Sequence, residues 1–171
     1  MNWTREMNGT GEMSDLNGRD DLDKLDGLDL LDLRTDAEQG DRESQYLLGL
    51  ACRSGRLTGV DLEEAARWWQ EAAEQGHSES VRQLAGLLEE GGEGLPADPA
   101  LSFYWWLQAA RSGEGEAQAP ICCKVGRAYL EGRGVVRDEG QAVRWLEKSA
   151  ALGSDAARET LAGLRSAGAE G

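Results

Sequence analysis

Ten residues recur three times along the chain, as RWWQEAAEQG at 67–76, YWWLQAARSG at 104–113 and RWLEKSAALG at 144–153. Trp68, Trp105 and Trp145 stand in register, 37 and 40 residues apart, and the glycines Gly40, Gly76, Gly113 and Gly153 follow at steps of 36, 37 and 40. Self-similarity at such a period marks stacked units that cannot bury an apolar face alone, and periods of roughly 34–47 residues belong to helix pairs. A chain of 171 residues holds three to four of them. The expected fold is therefore an all-α right-handed solenoid, an α–α superhelix of about eight helices without strands.

Each unit reads as two helices. Helix A of the first unit is expected over Arg42–Ser54, closing at Gly55, where a left-handed conformation ends the helix. Helix B starts after Asp61, whose carboxylate can accept from an unpaired amide of the first turn; Asp98 and Asp138 are its counterparts, and Pro99 follows at the first helical position, where it is tolerated. A small residue three places before the first tryptophan, as in Ala65/Trp68, Ser102/Trp105 and Ala142/Trp145, leaves room for the indole on the same face. Trp68, Trp105 and Trp145 are accordingly expected between helices A and B, with Trp69 and Trp106 packing between units. Helix A carries its own register, in which Ser44, Leu48, Gly49 and Cys52 recur as Ser80, Leu84, Ala85 and Leu88, then as Ile121, Val125, Gly126 and Tyr129. A last helix over 156–166 repeats it with Ala157, Leu161 and Ala162, and ends in Arg165, a polar substitution suited to a terminal cap.

This divides the chain into a polar tail (1–19), a leading helix (20–39) with Leu30, Leu33 and Ala37 on one stripe, units at 40–76, 77–113 and 114–153, and a capping helix with a C-terminal tail (154–171). The tail, rich in Asn, Gly and Glu, is expected to be disordered.

The motif Gly-x-Gly-Val-x-x-Asp-x-x-x-Ala-x-x-Trp, followed by Ala-Ala-x-x-Gly, resembles the Sel-one-like repeat (SLR), a relative of the tetratricopeptide repeat. The segment VGRAYLEGRGVVRDEGQAVRWLEKSAALG, from Val125 to Gly153, carries it almost position for position. The first two units are looser: Cys52 and Leu88 occupy the usual Tyr place, and one extra residue lies within Gly91–Gly94. The resemblance implies a scaffold, adaptor or regulator that binds other proteins without catalysing a reaction. A dedicated inhibitor, an immunity-type protein that neutralises a toxic enzyme, is the alternative.

Composition bounds the partners. The formal charge of −14, half of it in residues 1–40, excludes nucleic acid and anionic membrane surfaces, both of which need a basic footprint. No apolar run approaches the ~18–20 residues of a membrane span, and residues 1–20 contain no apolar core of a signal peptide. Three irregularly spaced cysteines fit reduced thiols. A cytoplasmic protein, monomeric, with another protein or a peptide as partner, is the expectation.

Catalytic and ligand-binding chemistry finds little support. The single histidine, His77, occupies the inter-helix slot that Asp41 fills one unit earlier, and is expected as a turn residue. Cys122 and Cys123 are adjacent and lack metal-ligand spacing. The loops GGEGLP at 91–96 and GRGVVR at 132–137 lack the lysine or the third glycine of phosphate loops. DLDKLDG at 21–27 places Leu25 where a calcium loop needs an oxygen ligand. No catalytic residue, cofactor or metal is expected.

The candidate binding surface lies on helix A. With Ser44, Leu48 and Cys52 turned inward, Tyr46, Leu50 and Arg53 fall about 180–240° away at 100° per residue. Their counterparts include Arg82 and Glu89, then Cys123, Arg127 and Leu130. Arg53, Arg82 and Arg127 recur there in an acidic protein, with Tyr46, Leu50 and Leu130 as exposed apolar groups. The expectation is a concave strip for a peptide or domain bearing acidic and apolar groups.

Overall fold

Helices in this chain begin where a side chain can accept the free amides of a first turn. In the computed structural model, which describes residues 22–113 and 118–169, Asp29 caps α1 (Leu30–Glu38), Asp41 caps α2 (Arg42–Ser54) and Asp61 caps α3 (Leu62–Glu74). His77 caps α4 (Ser78–Glu90), Asp98 caps α5 (Pro99–Ser112) and Asp138 caps α7 (Glu139–Ala151). Helix α6 (Ala119–Glu131) starts at Ala119–Pro120 without a side-chain cap, and α8 (Asp155–Ala169) is the last described helix. Among the described residues there are no β-strands.

The connections repeat as faithfully as the helices. The amides of Asp61, Asp98 and Asp138 each donate to a carbonyl at the same helix-A position, Cys52, Leu88 and Tyr129, at 2.9–3.0 Å. Each helix therefore packs antiparallel on the one before it, and the array is an α–α superhelix.

The seam inside each unit is set by a close approach. Trp69 is fully buried and donates its indole Nε1–H to the Tyr46 carbonyl at 3.1 Å. A Cβ placed on Gly49 would lie 2.4 Å from that indole nitrogen, so only glycine permits this depth of packing. Leu146 stands against Gly126 in the third unit in the same way, 2.8 Å from a notional Cβ. This corrects the expected roles of the paired tryptophans. In the first unit the second tryptophan enters the A–B seam while Trp68 donates its Nε1–H to Glu64 of its own helix (3.3 Å); in the second unit Trp105 is buried and Trp106 half-buried, and Trp145 is only half-buried.

The leading segment is also shorter than a helix over 20–39. Gly27 adopts a positive φ of 82° and breaks it, and Asp29 restarts the chain as α1. Leu33 and Ala37 are buried as their stripe requires, and Leu25, in the turn before Gly27, is buried with them. Residues 1–21 lie outside the described part. At the other end, Ala157 and Leu161 are buried but Ala162 is exposed.

Among the described residues Leu57 carries the one positive φ (65°) on a non-glycine residue, at the position where the third unit has Gly134 (φ 70°). It is 41% exposed, so burial does not compensate the left-handed conformation. Leu57→Asn, which accepts that conformation more readily, is expected to raise unfolding free energy by about 0.5–1.5 kcal/mol in urea titrations. Trp69→Ala is expected to lower it by about 3–5 kcal/mol, and Trp145→Ala by clearly less; equal losses would contradict the seam described above.

Candidate protein-binding surface

Helix A of each unit has more neighbours than its own helix B. The preceding helix packs on it as well, α1 on α2, α3 on α4 and α5 on α6, and side chains join it to the next helix A. That geometry overturns part of the expected strip. Tyr46 is fully buried, with its ring centroid 4.7 Å from that of His77 in the next unit and Lys24 over its face at 5.6 Å. Leu50 is buried in the main core. Cys123 is buried in a smaller cluster with Leu146, Ala157 and Leu161, so α8 closes over it.

Arg53, Arg82, Glu89, Arg127 and Leu130 do reach the surface, half-buried or exposed. The exposed edge of helix A is displaced from the expected strip: it runs through Glu43 and Leu47, then Glu79, Gln83 and Glu90, then Lys124, Arg127 and Glu131. The arginines do not form a free basic row. Arg53 lies 3.8 Å from Glu90, Arg82 2.8 Å from Glu79 and Arg127 3.6 Å from Glu131. The ridge is charge-balanced in a chain that is otherwise strongly acidic.

Two of the residues also join units. Arg53 Nη1 donates to Gln83 Oε1 of the next unit at 2.8 Å. Glu89, at the position equivalent to Arg53, accepts from Lys124 Nζ, equivalent to Gln83, at 2.9 Å. The polarity is inverted while the geometry is kept. At each junction the cation lies over the second tryptophan of helix B, Arg53 5.8 Å from the Trp69 ring and Lys124 4.8 Å from the Trp106 ring, a favourable cation–π placement. Arg133 Nη1 donates to the second oxygen of Glu89 at 3.1 Å and its Nε lies 3.7 Å from Glu131. Burial pushes the Glu89 carboxyl up, but the hydrogen bonds and charges of Lys124 and Arg133 outweigh it and hold the group below its ordinary range. Gln83, Lys124 and Arg133 were absent from the sequence-derived set. Their signal was the recurrence of hydrogen-bonding side chains at the aligned pairs Arg53/Gln83 and Glu89/Lys124.

His77 Nδ1 accepts the Ser80 amide (3.2 Å) while Nε2 contacts Glu43 at 3.1 Å, so the ring bridges two helices A as well as capping one. Ser80 is fully buried. All three cysteines are buried and unpaired; burial, reinforced by Glu64, pushes the Cys52 thiol up to about 11, and burial raises that of Cys122. Among the described residues no helix is long and apolar enough to cross a membrane, and no three His, Cys, Asp or Glu side chains group as metal ligands.

The Sel1 repeat family model matches residues 42–77, 78–114 and 120–154, more than half of the sequence. The chain belongs to the Sel1 repeat family. A Sel1 repeat protein from Oxalobacter formigenes is 33% identical over 77% of this chain and 96% of its own, with a TM-score of 0.61. The protective antigen c5321 of uropathogenic Escherichia coli strains, which displays an SLR fold, is 32% identical over 78% of this chain and 27% of its own longer one, TM-score 0.64. Cysteine-rich protein B of Helicobacter pylori shares the fold at 20% identity (86% of this chain, 98% of that one, TM-score 0.52). No curated protein matches the chain. Sel1 repeat proteins generally mediate protein–protein interactions, and their scaffold is typically non-catalytic.

The Sel1 junction yields a pH prediction. Glu89 has a lowered carboxyl pKa in the folded state, so its contribution is complete above the unfolded value near 4.5 and is lost as pH falls through the folded value. Glu89→Gln should be less stable than wild type at neutral pH, with the gap closing below about pH 4.5 in urea titrations. A gap independent of pH would remove the charge from the account.

Proposed function

We propose that the chain is a non-enzymatic interaction scaffold or regulator that holds a protein partner along the helix-A ridge. The observation that carries this reading is that three successive helices A contribute charged and polar side chains to one continuous, charge-balanced edge. Arg82 and Arg127 are the members best suited to a partner, since among the described residues each pairs with a carboxylate of its own helix and not across a junction. Arg53 and Glu89 hold the units in register, and Leu47 and Leu130 add half-buried apolar surface beside them. A partner offering carboxylates can exchange the intrahelical pairs for intermolecular ones. Such exposed i,i+3 and i,i+4 pairs stabilise the free protein by at most about 0.5 kcal/mol, so exchanging them is nearly without penalty.

Purified Arg82→Glu/Arg127→Glu protein should lose the partners that wild type retains from extracts of the native host, identified by mass spectrometry, while its circular dichroism stays unchanged. A control pair on the outer face of α3, Glu63→Lys/Arg67→Glu, should retain them. Loss in the control with retention in the ridge variant would move the site to helix B.

A further inference from the structure

Helix α5 departs from its two counterparts on the side that faces away from helix A. At 100° per residue the outward positions of α3 include Glu64, Arg67 and Gln70, and those of α7 include Gln141, Arg144 and Glu147. The same positions in α5 carry Leu101, Tyr104 and Leu107, and no charged side chain occurs from Pro99 to Ala110. Leu101 is 38% and Tyr104 49% exposed. The change at Leu101 also has an internal consequence. Trp68 Nε1 donates to Glu64, but Leu101 stands in the equivalent place, and the buried Trp105 Nε1 has no acceptor among the described residues.

We propose that this face of α5 is a self-association surface, on which a second copy lays its own α5 antiparallel about a two-fold axis beside Tyr104. Two features select a second copy as the occupant. Copies of a chain with net charge −14 repel one another over most of their surface, and this stretch of helix is where that repulsion is weakest. Its ends are moreover self-complementary. Asp98 lies exposed six residues before Tyr104, and Arg111 lies exposed seven residues after it, without an ion pair among the described residues. Antiparallel pairing centred on Tyr104 brings Arg111 of each copy to Asp98 of the other, so one contact is made twice, as an isologous interface requires. Leu101 then faces Leu107 of the second copy, which removes the exposed apolar surface from water. A dimer differs from the monomer favoured on the sequence and does not rest on the helix-A ridge.

Sedimentation velocity of the full chain, from micromolar to millimolar concentration, tests it. Wild type should dimerise with rising concentration. Tyr104→Arg places like charges on the axis and should raise the dissociation constant at least about tenfold. Arg111→Gln and Asp98→Asn should each weaken the dimer several-fold; Asn retains the helix cap, so both remain informative if Tyr104→Arg fails to fold. Arg67→Glu, at the Tyr104 position of α3, should leave the dimer unchanged. A wild-type monomer throughout the range, or a dimer indifferent to Tyr104→Arg, Asp98→Asn and Arg111→Gln, would overturn the proposal.

Discussion

The depth to which Trp69 enters its seam governs the spacing of everything beside it. With glycine at position 49 the indole reaches the backbone of α2 and finds an acceptor in the Tyr46 carbonyl, so the largest side chain of the unit is buried with its polar atom satisfied. Ala51, Ala65 and Ala72 of these two helices are fully buried, small side chains that suit so close an approach. The third unit solves the same problem with smaller parts, Leu146 on Gly126. Units built to one interhelix distance can stack without a step, and the stack then presents its helices A as one surface.

Between units the chain uses polar contacts where one unit's helix A meets the next. Gln45 shows the pattern in the core: its amide donates to the Ala37 carbonyl and to Glu71, and its side-chain oxygen accepts from Gln75, so one buried polar residue ties α1, α2 and the end of α3 together. Fully satisfied groups of this kind fix orientation more than they add stability. On the surface the same task falls to Arg53 with Gln83 and to Glu89 with Lys124.

Much of this was legible in the residues themselves. The three aspartate caps, the bounds of α2 and the inward row of Leu48, Leu84 and Val125 follow from local rules, because capping and helical periodicity act within a few residues. The burial of Tyr46, Leu50 and Cys123 did not, since it depends on which helix lies alongside, and a single-helix projection contains no neighbour. The roles within the Trp68–Trp69 pair were equally hidden. Adjacent tryptophans differ by 100° around the helix, and only the seated position of α2 decides which one turns into the seam.

The inverted polarity of the two junctions makes the units non-equivalent despite their common fold. Were the middle unit lost through recombination between the repeated coding segments, Arg53 would be brought against Lys124, two cations over one indole, where each now has a compatible neighbour. Duplication of the middle unit would set Glu89 against Gln83, a contact the glutamine amide can still satisfy. An array assembled from near-copies is thereby biased in how its own length can change: it tolerates growth at its centre better than contraction, and the order of its units is written into the charges that join them.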